Sequence, residues 1–288
     1  MDIQLLETFL DLMETKSFNK TADRLGITQS TVSHRVRSLE SLLGKRLFNR
    51  SRAGTLPTIA GTRFLDHARI LCQEWREAIR HVETTRAFEK VMRLGVQHDV
   101  AGGFSGPAVN EMRRKLPRVS IFLQVDYSLN IIRSLLSGEL DIGLVFTPQH
   151  QPDLYFEPLG NIQYQMVSNH VALLGQVVAE HYILLNLSPD FNDRHRMALP
   201  NLTDTPLTCG TSRAVENLLG SISASSYVSE YLATKMGLEI NCRTIIDAPI
   251  FDQPVYAAVH VRNRHVHSHL QIINIFRALL PGILDPQA

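Results

Sequence analysis

Cysteine is scarce in this 288-residue chain: there are three, Cys72, Cys209 and Cys242. An odd number at wide spacing argues against a disulfide framework. No apolar run approaches the ~18 residues of a membrane span, and the first residues lack the apolar core of a secretory signal. A cytoplasmic chain without a membrane partner is therefore expected. Also missing are a Gly-x-Ser-x-Gly elbow and a Walker A loop, and Gly102-Gly103 with Gly106 is too sparse for a dinucleotide fingerprint. His260, His265, His267 and His269 have i, i+2 spacings that could converge on a metal, but no nearby cysteine or carboxylate completes a ligand set. Neither a metal nor a cofactor is expected. Repeats and low-complexity segments are absent too.

The chain has 44% hydrophobic residues, enough for a substantial core, and a length that suits two domains or more. Its net charge of +1 is unevenly spread. Residues 1–90 hold 15 Lys and Arg against 11 Asp and Glu, and the remainder holds 14 against 17. A basic front end on a mildly acidic body suits a nucleic-acid-binding head joined to a domain with another task.

Residues 17–61 carry the most specific pattern. Ser17 is a good N-cap, and Phe18, Ala22 and Leu25 form a stripe at helical spacing. Gly26 supplies a left-handed stop, Ile27 plugs the turn, and Thr28 caps a second helix. There Val32, Val36, Leu39 and Leu43 make the buried stripe, which leaves Ser30, Ser33, His34, Arg37 and Ser41 on the opposite, exposed face. Two short helices at a sharp turn present one of them to a DNA major groove. Residues 2–15 read as a preceding helix, and Lys45 to Pro57 as a small β-wing with a basic tip suited to phosphate or minor-groove contact.

Thr58 caps a long helix expected to run to about Phe88. Phe64, Ala68, Leu71, Trp75, Ala78 and Val82 step by four and three, a heptad rhythm that suits a two-helix seam. From Val91 the pattern becomes α/β. Strands at 91–96, 119–125 and 141–146 alternate with helices within 102–116, after a loop, and at 128–136, giving a parallel sheet with crossover helices. Another strand is expected from Ile162, and a last helix at about 268–280.

Taken together, these residues resemble a LysR-type transcriptional regulator over essentially the whole chain. The helix-turn-helix, Leu39-Glu40, Leu47-Phe48-Asn49-Arg50 and Thr58-Ile59-Ala60-Gly61 match at fixed spacings, as do Gly95, Pro117 and Gly138-Glu139-Leu140-Asp141-Ile142 more loosely. The resemblance implies an α/β chain in three parts. These are a winged helix-turn-helix over 1–58, a linker and dimerisation helix over 59–90, and a two-lobed effector domain over 91–288 like a type 2 periplasmic solute-binding protein. Lobe I would hold about 91–160 and 257–288, and lobe II about 161–256. A homodimer or homotetramer, double-stranded operator DNA, a small-molecule effector of unknown identity and RNA polymerase are the implied partners.

By the same resemblance, Gln29, Ser30, Ser33 and His34 would meet bases, with Arg37 beside them and Arg50 and Arg52 on phosphate. Gln can pair bidentately with adenine. His34 stands where many relatives carry Arg. The effector would lie between the lobes, near Gln97, His98, Asp99, Tyr127, Ser128, Thr208 and Cys209, with Gly210 at the same strand end. Relatives often place Ser or Thr on the first of these loops to bind a carboxylate, whereas this chain has His98-Asp99, an arrangement expected to disfavour a simple acid effector. Cys209 and Cys242 could pair as in oxidant-sensing relatives, although inert buried thiols are the commoner case. The competing readings are an enzyme or solute-binding protein built on the α/β domain, and a body that only oligomerises.

Overall fold

The computed structural model describes residues 2–51, 54–83, 88, 90–148, 151–239 and 241–284. They fall into two units that divide between Thr85 and Arg86, with Ser137–Glu139 grouped with the first.

The first unit is built from α1 (Ile3–Thr15), α2 (Phe18–Leu25), α3 (Gln29–Leu43), β1 (Phe48–Ser51), β2 (Gly54–Pro57) and α4 (Ile59–Glu83). Its core joins Leu6, Phe9 and Leu12 of α1 to Val32, Val36 and Leu39 of α3, Leu47 and Phe48, and Ala68 and Cys72 of α4. Phe9 stands at its centre, 5.5 Å from the Phe48 ring and 5.3 Å from Phe64. β1 and β2 pair antiparallel as the wing, and Glu40 Oε1 fixes the wing's start by accepting from the amides of Leu47 (2.7 Å) and Phe48 (3.2 Å).

Three expectations change here. The buried stripe of α3 ends at Leu39, because Leu43 lies in the last turn beyond the reach of α1 and is 39% exposed. Ser33 is buried, covered by neighbours one turn away on its own helix. The α4 stripe also divides in function. Phe64 and Ala68 pack into the head's own core, whereas Leu71, Trp75 and Val82 are 41%, 51% and 87% exposed.

The second unit contains β3 (Lys90–Gln97), α5 (His98–Lys115), β4 (Val119–Asp126), α6 (Ser128–Ser137), β5 (Ile142–Val145), β6 (Leu154–Ser168), β7 (Tyr182–Leu185), α7 (Pro189–Ala198), β8 (Leu207–Cys209), α8 (Ser212–Leu219), β9 (Ser225–Ser229), α9 (Glu230–Glu239), β10 (Arg243–Thr244), β11 (Phe251–His260) and α10 (His267–Leu284). β3 is parallel to both β4 and β5, the expected crossover arrangement. The sheet continues in the order β4-β3-β5-β11-β6-β9-β7-β8, with β10 on the flank of β6.

β6 and β11 are shared by two lobes. The second half of β11 pairs with β5 on one side and with the first half of β6 on the other, and the second half of β6 pairs with β9. Between these halves the register slips at Val255/Tyr256, opposite Pro158 and Gly160. Strand pairing therefore passes from lobe to lobe at a bulge, which is where a sheet bends most easily. Two boundaries differ from the sequence reading. α5 begins directly at His98, without a loop, because Gln97 caps it, its Oε1 accepting from the Asp99 amide at 2.7 Å. The strand expected from Ile162 starts eight residues earlier.

Candidate nucleic-acid interface and interlobe cleft

Local hydrogen bonds fix the approach of α3. Ser17 Oγ accepts from Lys20 N, and Gly26 closes α2 at φ 63°, a conformation that costs a side-chain-bearing residue about 1 kcal/mol or more. Ile27 then donates to the Ala22 carbonyl at 3.0 Å, and Thr28 Oγ1 accepts from Thr31 N at 3.2 Å. The turn is thus closed from both sides. Arg35 is drawn back to α1, donating to Thr8 Oγ1 and Gln4 Oε1, while Arg24 pairs with Asp11 and Glu14. The cation left on the outer face of α3 is Arg37, next to His34, and both are exposed.

Gln29 and Ser30 lie exposed in the first turn. Gln29 Nε2 donates to Ser33 Oγ at 3.1 Å, and Arg37 Nε donates to the Ser33 carbonyl at 3.2 Å. Ser33 therefore braces two outward-facing side chains. Arg52 lies outside the described residues, and for Arg50 only the β1 backbone is described.

In the second unit, the residues expected around the effector gather where the two lobes meet. Gln97, His98 and Asp99 lie at the β3–α5 junction, and Tyr127 and Ser128 at the start of α6. The His98 and Tyr127 rings are 4.7 Å apart. Tyr127 reaches lobe II, its hydroxyl so close to Gly210 that a β-carbon there would stand 2.8 Å from it. Asp99 also crosses, its Oδ1 accepting from the amide of Ser212, the first residue of α8, at 2.7 Å. Ser128 instead serves lobe I, with its Oγ accepting from Phe146 N at 3.0 Å. Thr208 is exposed and Cys209 half-buried at the end of β8.

Burial pushes the Asp99 carboxyl up to about 6 against the lowering influence of the Ser212 amide and hydroxyl. It also raises the Cys209 and Cys242 thiols, which disfavours the thiolate a redox pair needs, and all three cysteines are free. Sequence reasoning missed Ser212. Thr211-Ser212 just after a strand was the available signal, since an N-capped helix start after a strand end offers amides to an acceptor.

Among the described residues no group of three His, Cys, Asp or Glu could hold a metal, and no helix is long and apolar enough to cross a membrane. His260 Nδ1 accepts from Arg262 N, His265 Nε2 accepts from Arg264 Nε, and His269 is buried within the fold.

Comparison with known proteins agrees with this geometry. The family described as "Bacterial regulatory helix-turn-helix protein, lysR family" matches residues 3–62, and "LysR substrate binding domain" matches residues 86–229. The HTH-type transcriptional regulator HdfR of Yersinia enterocolitica is 25% identical over 268 residues, 89% of this chain and 90% of the relative. HdfR of Yersinia pestis is 25% identical over 241 residues, 80% of this chain and 82% of that protein. Among solved structures, full-length OxyR from Pseudomonas aeruginosa has a TM-score of 0.60 at 17% identity, covering 100% of this chain and 98% of its own. ArgP from Mycobacterium tuberculosis has a TM-score of 0.59 at 20% identity, covering 98% of each chain. The structural likeness concerns the fold. The curated relatives are regulators and not enzymes, so the enzyme alternative is not favoured. The chain belongs to the LysR family of transcriptional regulators, with a helix-turn-helix DNA-binding domain and a C-terminal effector-binding domain.

Proposed function

We propose that this regulator reads its operator with the first two turns of α3. Gln29 and Ser30 would meet base edges, His34 and Arg37 would take a base or phosphate beside them, and Ser33 would hold Gln29 and Arg37 in place. The observation that carries this reading is the row of exposed polar side chains on a helix whose opposite face is fully buried. Arg50 and Arg52 would bind phosphate. Arg52→Ala should weaken all duplexes alike and reduce the salt slope by roughly one. An unchanged slope in a salt titration would remove Arg52 from the interface. Sequencing the genomic fragments retained by the pure protein would supply the preferred duplex.

The exposed stripe on α4 supports pairing of two chains through this helix, with further pairing through the effector domains. A cytoplasmic protein that acts on RNA polymerase and needs no cofactor or metal fits this reading. In the second unit, a small molecule held between the lobes by Gln97, His98, Asp99 and Tyr127 on one side and Thr208 and Cys209 on the other would change the setting of the DNA heads without being chemically altered. The position of these groups on both sides of a bulged hinge supports that reading. Coupling between effector and operator would be about 1–3 kcal/mol and reciprocal.

A further inference from the structure

Beside Asp99 a small cavity, lined also by Gly103, Phe104, Ile162, Ser229 and Tyr231, measures about 20 Å³, room for about one water molecule. Asp99 leaves α5 in lobe I and accepts the amide of Ser212 in lobe II. Beside that bond the buried Ser212 hydroxyl (2% exposed) lies between the Asp99 carboxyl and the buried Tyr164 hydroxyl (0% exposed), and no well-formed hydrogen bond joins Asp99 Oδ2 and the two hydroxyls. Buried polar groups paired this loosely are unusual in a folded interior. An amide at a helix N-terminus flanked by two hydroxyls is a donor set for a carboxylate.

We infer that the cleft contains a carboxylate-binding site formed by the Ser212 amide and the Ser212 and Tyr164 hydroxyls, and that Asp99 occupies it in cis as a built-in ligand latching lobe I to lobe II. This deepens the reading of the cleft as the effector site and rests on it. A tethered carboxylate is present at high effective concentration, so a free acid in solution competes poorly with it. The ligand class that fits the site is a small monocarboxylate, and the site becomes open to one when Asp99 withdraws or is removed. Asp99 thus bears on the choice of effector by filling the site. That differs from the repulsion expected of an acidic side chain left free in the cleft.

The environment of Asp99 supports a carboxyl that is held but not neutralised by a cation. The charged and titratable groups next to it or to its partner Ser212 are His98 on α5, Tyr164 on β6, Tyr231 on α9 and Arg213 on α8, already paired with Glu216. What favours its charged form is the amide and hydroxyl of Ser212, and these are outweighed by burial. The latched state therefore holds a proton more tightly than an open one.

The test is chemical rescue in the full-length chain. Asp99→Ala leaves a void the size of formate, and Asp99→Gly leaves one the size of acetate. Sodium formate should raise the Tm of Asp99→Ala by several degrees in a saturable way, and sodium acetate should do so for Asp99→Gly. Neither salt should move the parent or Asp99→Asn beyond the change produced by sodium chloride at equal ionic strength. Variants that respond no differently from the parent would overturn the proposal. Asp99→Asn keeps the shape and provides a second measurement should the smaller variants not fold. The ordinary carboxyl value is 3.8 and the latched one about 6, so the parent should lose stability relative to Asp99→Asn as pH rises through that window. A difference in Tm that stays constant from pH 4 to 8 would contradict a latched carboxyl. Operator affinity in the same formate titration separates the two readings. A rescued Asp99→Ala whose affinity does not change would count against the effector reading and leave the cis ligand standing.

Discussion

Gln29 is the side chain on which the proposed reading of the operator most depends, because it is exposed in the first turn of α3 and an amide can pair bidentately with adenine. Gln29→Ala should cost about 1–3 kcal/mol on the preferred duplex and much less on random DNA. Equal losses on both, read by fluorescence anisotropy at one salt concentration, would show that Gln29 reads no base. His269 makes the clearest residue-level statement about stability. It is 1% exposed, neither ring nitrogen has a hydrogen-bond partner, and burial, with Lys90 nearby, lowers its pKa to about 4. His195, bonded to the Tyr182 hydroxyl at 2.8 Å, is lowered by burial to about 4 as well. The unfolded chain binds these protons at an ordinary value of 6.5, so the folded state is fully favoured above 6.5 and loses ground as pH falls towards 4. Each histidine contributes up to roughly 3 kcal/mol to that loss. His269→Leu should flatten the acid limb of a stability profile measured by urea denaturation, and an unaltered limb would mean that His269 is protonated in the folded chain.

Among the elements, α4 carries the next prediction. Its first turns are consumed by the head's own core through Phe64, Ala68 and Cys72, so a second helix can use only the part from Leu71 onward. Trp75→Lys should give monomers in analytical ultracentrifugation with an unchanged circular dichroism spectrum, since Trp75 is 51% exposed in the single chain. A variant that sediments like the parent would remove this seam. The same element shows what was legible in the sequence. Caps and apolar periodicity gave α2, α3 and the turn between them, because the hydrogen bonds that define them lie within a few residues. They could not divide the α4 stripe between two partners, since a heptad does not say which helix it meets. β6 was read late because Pro158 and Gly160 look like a turn, whereas the fold absorbs them in a bulge opposite Val255/Tyr256. In the cleft, the residues of the β3–α5 junction were legible as strand ends, but the bond from Asp99 to Ser212 joins positions 113 apart and leaves no periodic trace.

At the scale of the whole molecule, a basic helix-turn-helix head and a two-lobed α/β body form two units within one chain, as in the regulators it resembles. The proposed discrimination between duplexes rests on the head's exposed row on α3, and the proposed effector response on the bulged sheet and the cleft of the body. The most direct test measures the full-length protein against the duplex selected from genomic fragments and against a scrambled duplex of equal composition, at physiological salt. A specific reader should prefer the selected duplex by roughly a thousand-fold or more. Affinities equal within a few-fold, both falling steeply with salt, would show that α3 contributes charge without reading sequence and would contradict the assignment.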